Sequence, residues 1–273
     1  MRISTRHDVA TSHGRIATEV QGSGFPIVFI HGNSACRRVF QNQFSSGLLD
    51  GYKLVAPDLP GHGESENAHD PGRSYILPGL AGMMLELLDQ LNIKRAVVVG
   101  ASLGGHVAIE MLARSAVPGG LFLMGSPPVG LDIAQGFNGK PLNGLASKGE
   151  LTPQEAAYFA SAVFGSRVEP FMRQAIERTD AVFRPTLFGE AGRAAGVNQR
   201  ETVASAAVPT AIVNGADDRI INLDYVDSVP YARLWRGECL RIAGASHSAF
   251  WETPDAINRL LREFTQDVIE GRA

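Results

Sequence analysis

Short, almost wholly apolar runs alternate along the chain with longer segments whose apolar residues recur every three or four positions. The runs are Pro26-Ile27-Val28-Phe29-Ile30, Tyr52-Lys53-Leu54-Val55-Ala56, Ala96-Val97-Val98-Val99 and Leu121-Phe122-Leu123-Met124. Such continuity predicts strands covered on both faces, as in a parallel sheet. Between them, Leu80, Met84, Leu87, Leu88 and Leu91 keep helical spacing, as do Val107, Ile109, Met111 and Leu112. Asp8–Ser12 and Arg15–Val20 flank His13-Gly14 and predict an N-terminal hairpin. Strand, helix, strand in repetition predicts right-handed crossovers and a doubly wound, mostly parallel α/β sheet.

The pattern changes after Gly125-Ser126-Pro127-Pro128, and helical signals without strands run to about Arg200. Thr152-Pro153-Gln154-Glu155 is a capping box with proline at the first helical position, opening a helix through Phe164. A second helix is expected over Val168–Thr179, with Phe171, Met172 and Ile176 on one face. Strand signals resume at Pro209–Val213 and Cys239–Ile242, and a last helix follows Pro254, from Asp255 to about Ile269. The chain therefore divides into core residues 1–127, a helical cap at 128–200 inserted after the sixth strand, and core residues 201–273. An all-helical insertion can be a packing embellishment or a lid over the sheet's carboxyl edge, where open α/β sheets bind ligands. Phe137, Tyr158, Phe159, Phe164, Phe171, Phe183 and Phe188 favour a lid with an apolar underside.

Composition narrows the class. The chain has 273 residues, 44% of them apolar, enough for a sizeable core. Its net charge of −3, without a Lys/Arg-rich run, argues against a nucleic-acid partner. Cys36 and Cys239 form no paired pattern, which suits a reducing compartment. With no apolar leader and no run near the ~18 residues that suggest a membrane span, a soluble cytoplasmic protein is expected.

Chemistry concentrates at Gly100-Ala101-Ser102-Leu103-Gly104. A hydroxyl at a sharp strand-to-helix turn stands clear of the sheet, and small neighbours relieve the crowding there. The alternative is a glycine-rich turn with a capping serine. A serine nucleophile needs a base and an orienting carboxylate. Of the seven histidines, only His247, in Gly244-Ala245-Ser246-His247, follows the last predicted strand. His7, His13 and His69 read as surface loops and His106 as a packed helix residue. Asp217 and Asp218, just past Val213-Asn214-Gly215-Ala216, are both candidate acids, and periodicity does not choose between them. The oxyanion donors are expected to be the Leu103 N–H and, after His31-Gly32, the N–H of Asn33. No histidine cluster suggests a metal, and no cofactor is expected.

Together these features resemble the α/β-hydrolase fold family along essentially the whole chain, with HGNS, APDLPGHGES, GASLGGH, NGADD and GASHSAFWE in order. The resemblance implies Ser102 as nucleophile and His247 as base. It selects Asp218 as acid, three residues after Gly215. It also implies that Asp58, His62 and Ser65 are structural. More narrowly, HGNS, APDLPGHG, RSY, SLGGH with IEM, GSPPV, QGF, NQR and VNG look like the α/β-hydrolase type N-acyl-homoserine lactonases, which open the lactone ring of bacterial quorum signals without a metal. That likeness implies a small ester or lactone substrate with an apolar tail, contacted by Asn33 and by Tyr158 or Phe159, the ungapped spacing favouring Phe159. Two departures are Ala101, where a bulky aromatic can precede the nucleophile, and Asp218, where glutamate can serve. The rival readings are a general carboxylesterase and, more remotely, a non-catalytic small-molecule receptor. An aspartate nucleophile, as in epoxide hydrolases and dehalogenases, is replaced here by Ser102.

Overall fold

A computed structural model of the chain describes residues 4–273. Ser4–Thr11 (β1) and Gly14–Gln21 (β2) form the antiparallel hairpin, with Thr11 opposite Gly14. Its two turn residues are thus Ser12 and His13 rather than His13 and Gly14. Pro26–Ile30 (β3) and Lys53–Pro57 (β4) follow, then the helix Leu77–Gln90 (α1), Ala96–Ala101 (β5), Leu103–Leu112 (α2) and Pro118–Met124 (β6). Thr210–Gly215 (β7), Leu240–Ile242 (β8) and the closing helix Pro254–Glu270 complete the core. The eight strands are ordered β1-β2-β4-β3-β5-β6-β7-β8, parallel from β4 to β8, with the hairpin antiparallel at one edge.

The central strands β3, β5 and β6 carry no polar side chain because two cores sandwich the sheet. Val28, Ile30, Val98, Leu121, Leu123 and Ile212 face α1 and α2, against Met84, Leu87, Val107 and Met111. The alternate residues Ile27, Phe29, Val97, Val99, Phe122 and Val213 face the closing helix, against Leu261, Phe264 and Val268. This is the period-two alternation of strands, filled on both sides.

Between β6 and β7 no described residue joins the sheet as a strand. The capping box forms as expected: Thr152 Oγ1 accepts from the Glu155 N–H, and the helix runs Pro153–Phe164 (α3). The next helix, Pro170–Arg178 (α4), starts two residues later than its apolar pattern suggests, because Pro170 takes the first helical turn and Glu169 the cap. Phe183–Phe188 (α5) and Gln199–Ala204 (α6) follow. The insertion is tied to the core by side chains: Tyr75 Oη donates to Asp180 (2.6 Å), and Arg178 Nη2 donates to the Ser65 carbonyl (2.8 Å). No helix among the described residues is long and apolar enough to cross a membrane.

Candidate active site

Parallel strands deliver their following loops to one edge, and five of them do so here. His31–Ser34 follows β3, Ser102 follows β5, Gly125-Ser126 follow β6, Asp218 lies past β7, and His247 lies past β8.

Ser102 has φ 51° and ψ −119°, a conformation that costs a non-glycine residue strain. It occupies the cap position of α2, yet its side chain makes no capping bond. The capping-serine alternative therefore fails, and the hydroxyl is left to the site. The turn is possible because its neighbours are small: a Cβ on Gly104 would lie 2.0 Å from the Ile30 carbonyl oxygen, and one on Gly100 2.4 Å from Gly105 Cα. The Ser102 N–H donates to the Met124 carbonyl (2.8 Å), and Ser126 Oγ donates back to the Ser102 carbonyl (2.6 Å).

His247 and Asp218 are both buried, with the imidazole Nδ1 2.8 Å from Asp218 Oδ2. The other carboxylate oxygen accepts the N–H groups of Ile220 (2.8 Å) and Ile221 (3.2 Å). Burial alone would raise the Asp218 pKa, but His247 and these N–H donors outweigh it and hold the carboxyl below its usual range. Asp217 is exposed, so the structure separates the two neighbours that periodicity could not. A Cβ on Gly125 would lie 2.8 Å from the His247 ring, which places the imidazole directly against the residue after β6. The His247 imidazole and Ser102 thus flank the same three residues, Met124 to Ser126. Among the described residues Ser102 Oγ makes no hydrogen bond.

The turn after β3 lies against Ser102: a Cβ on Gly32 would be 3.2 Å from Ser102 Cβ. Neither the Asn33 N–H nor the Leu103 N–H finds an acceptor among the described residues. The Asn33 side chain is engaged at both ends, Nδ2 donating to the Ala146 carbonyl (3.1 Å) and Oδ1 accepting from Ser34 Oγ (2.9 Å). His31 and His62 brace this turn as neutral rings. His31 Nε2 accepts the Leu59 N–H (2.9 Å), and His62 Nε2 accepts the Ser34 N–H (3.2 Å). Burial lowers both pKa values, that of His62 strongly. Asp58 accepts the N–H groups of Arg37 (2.6 Å) and Glu64 (2.8 Å), while Ser65 Oγ donates to its carbonyl (2.7 Å). The loop is thereby held internally.

The insertion's candidates sit differently from the expected underside. Tyr158 is 46% exposed and accepts from Asn143 Nδ2 (2.8 Å). Phe159 is 1% exposed and packs with Ala156, Ala160 and Ile176 in a small core within the insertion. Phe164 and Phe171 pack in the main core with Trp251, and Phe183 packs against His62 and Tyr75. Most of the aromatic surplus holds the insertion together and onto the sheet. His13 also departs from expectation: it is 4% exposed, because the hairpin turn folds onto the residues before α1 and its Nδ1 meets Ser74 Oγ at 2.9 Å. Sequence reasoning gave no role to Ser126, or to Glu252, which accepts both the N–H and Oγ–H of Ser246 (2.7 and 2.8 Å) beside His247. Their signal was position alone: a serine just past an apolar run, and an acid five residues after the histidine. Among the described residues no group of three or more His, Cys, Asp or Glu could hold a metal.

This fold, with serine, acid and histidine in that chain order at the carboxyl edge, defines a class. A model of the alpha/beta hydrolase family matches residues 27–260, and the chain belongs to that family; it is a hydrolase. Among solved structures it is similar to the N-acyl homoserine lactonase AidH complexed with N-butanoyl homoserine, at 39% identity and a TM-score of 0.94 over 97% of each chain. A serine-to-glycine mutant of AidH complexed with N-hexanoyl homoserine lactone is 38% identical, with a TM-score of 0.94, over 97% of this chain and 99% of that one. The AB hydrolase superfamily protein YisY of Bacillus subtilis is 25% identical over 263 residues, 93% of this chain and 96% of that protein.

Proposed function

We propose that the protein is a serine hydrolase that opens the lactone ring of N-acyl-homoserine lactones, a quorum-quenching activity. The buried Asp218–His247 pair beside the strained, uncapped Ser102 carries the chemistry. The likeness to AidH over 97% of both chains supports the substrate.

In this reading Ser102 Oγ attacks the lactone carbonyl carbon while His247 Nε2 takes its proton. Asp218 fixes the tautomer and stabilises the imidazolium. The N–H groups of Asn33 and Leu103 hold the carbonyl oxygen as it turns negative; losing one such donor typically costs ~3 kcal/mol. Collapse breaks the ring C–O bond, and His247 protonates the departing oxygen. That alcohol stays tethered to the acyl-enzyme, so reclosure competes with hydrolysis. A water deprotonated by His247 then attacks the acyl carbon, releasing Ser102 and the open-chain acid.

Residues 128–200 act as a cap over this edge. Tyr158 and Phe159 serve the substrate indirectly, since Asn143 and Leu145 of the turn Pro141–Ser147 lean on them and the Ala146 carbonyl of the same turn holds Asn33. A cytoplasmic location suits a neutral amphipathic substrate that crosses membranes. No metal is required by this mechanism, so exhaustive chelation is expected to leave the rate unchanged. The runner-up is a general carboxylesterase that uses the same three residues on another substrate. Rates on a panel of homoserine lactones and aryl esters decide. Faster turnover of the lactones supports the proposal, and brisk ester hydrolysis with inert lactones replaces it.

A further inference from the structure

Arg184, on α5 of the insertion, is only 2% exposed. Its three contacts are neutral oxygens: Nε donates to the Lys148 carbonyl (2.5 Å), Nη2 to the Gly149 carbonyl, and Nη1 to Ser34 Oγ (2.7 Å). No carboxylate of the described residues pairs with it, and burial alone acts on its pKa, pushing it down. A buried cation without a counter-charge is costly, and arginine keeps its proton where lysine would not.

The guanidinium reaches the site in two hydrogen bonds. Ser34, itself in a left-handed conformation (φ 59°), accepts from Arg184 and donates to Asn33 Oδ1 (2.9 Å), while its N–H is held by His62. A hydroxyl that accepts from a cation becomes a stronger donor, so the charge tightens the grip on Asn33. We propose that Arg184 is a positioning residue for the oxyanion site. It fixes Asn33 through Ser34 and keeps an unneutralised positive charge near the point where the substrate oxygen becomes negative. The inference rests on the roles given above to Ser102, Asn33 and Leu103. Such a charge interacts weakly with a neutral ester and strongly with the tetrahedral oxyanion, so it acts on kcat.

The test compares wild type, Arg184→Met, Arg184→Lys and Ser34→Ala on one aryl ester, with a trifluoromethyl ketone as mimic of the anionic adduct. Arg184→Met is expected to lower kcat roughly 10- to 100-fold, near the range seen for loss of an oxyanion donor. Its KM should stay within about threefold, and its affinity for the ketone should fall in step with kcat. Arg184→Lys, whose amine would give up its proton in this buried place, should recover little of the loss. Ser34→Ala should lower kcat about tenfold, and it decides the matter if Arg184→Met does not fold. A folded Arg184→Met enzyme with full kcat and lower thermal stability overturns the inference alone. A wild type inert towards esters and lactones, and unlabelled at Ser102 by a fluorophosphonate, overturns the underlying reading and this inference with it.

Discussion

The sheet's carboxyl edge and the helical insertion were both visible in the sequence, yet only the first yielded its contacts. At the edge, strand register fixes neighbours: Ala101 pairs with Met124, so Ser102 must meet Gly125 and Ser126. A glycine-flanked serine between a buried strand and a helix has few conformations open to it, and its motif encodes one of them. In the insertion, helical spacing tells which face is apolar but not what covers that face. Phe159 is as apolar as a ligand-binding residue should be, and it lies in a core of its own. Local geometry is legible where backbone hydrogen bonds dictate it, and much less so where side-chain packing does.

The comparison breaks most clearly if the edge is not where the chemistry lies. Ser102→Ala is expected to lower kcat by ~10⁴-fold or more without loss of the fold, since it removes only a hydroxyl that has no partner among the described residues. Residual turnover above about a hundredth of wild type, measured on an aryl ester, would contradict the assignment. Asp218→Asn should cost up to ~10⁴-fold in kcat because the amide cannot stabilise the imidazolium, while the exposed Asp217→Asn should stay within about threefold. A reversed ranking would place the acid one residue earlier.

In the insertion the larger effect should be on stability. Phe159→Ala removes a nearly wholly buried ring and should destabilise by ~3–5 kcal/mol in urea unfolding. Its effect on kcat/KM should be equal for short and long acyl chains. A loss confined to long chains would instead make Phe159 part of a tail groove.

The smallest expected effect is that of pH on the turn after β3. His31 and His62 have lowered pKa values in the fold, so the unfolded chain binds protons more readily. Stability is therefore present above the unfolded histidine pKa of ~6.5 and falls as pH drops below it, by up to ~1.4 kcal/mol per unit for each ring. Denaturant unfolding at pH 7.5 and 5.5 checks this. His62→Gln should flatten the slope, and an unchanged slope would exclude His62 as a source.

The strands, both cores and the placing of Ser102 and His247 at the sheet's carboxyl edge followed from period, spacing and chain order. What period and spacing alone left open or missed had specific causes, and only the family resemblance had singled out Asp218. Asp217 and Asp218 differ by one residue in a turn, where no period applies; Asp218 became buried because its N–H closes back on the Gly215 carbonyl (3.3 Å) and its carboxylate caps Ile220 and Ile221. His13 looked like a loop residue because a hairpin turn carries no sign of what it folds against. Arg184 sits in Ala181-Val182-Phe183-Arg184-Pro185, where a cation reads as solvent-facing until three oxygens are found around it.

The central claim is tested most directly by the product. Purified enzyme incubated with N-hexanoyl homoserine lactone should give, by mass spectrometry, a species one water heavier that re-forms the lactone on acidification. Ser102→Ala should give no more of it than buffer does. A lactone left unchanged by an enzyme that hydrolyses aryl esters, or opened as fast by Ser102→Ala as by wild type, would contradict the account.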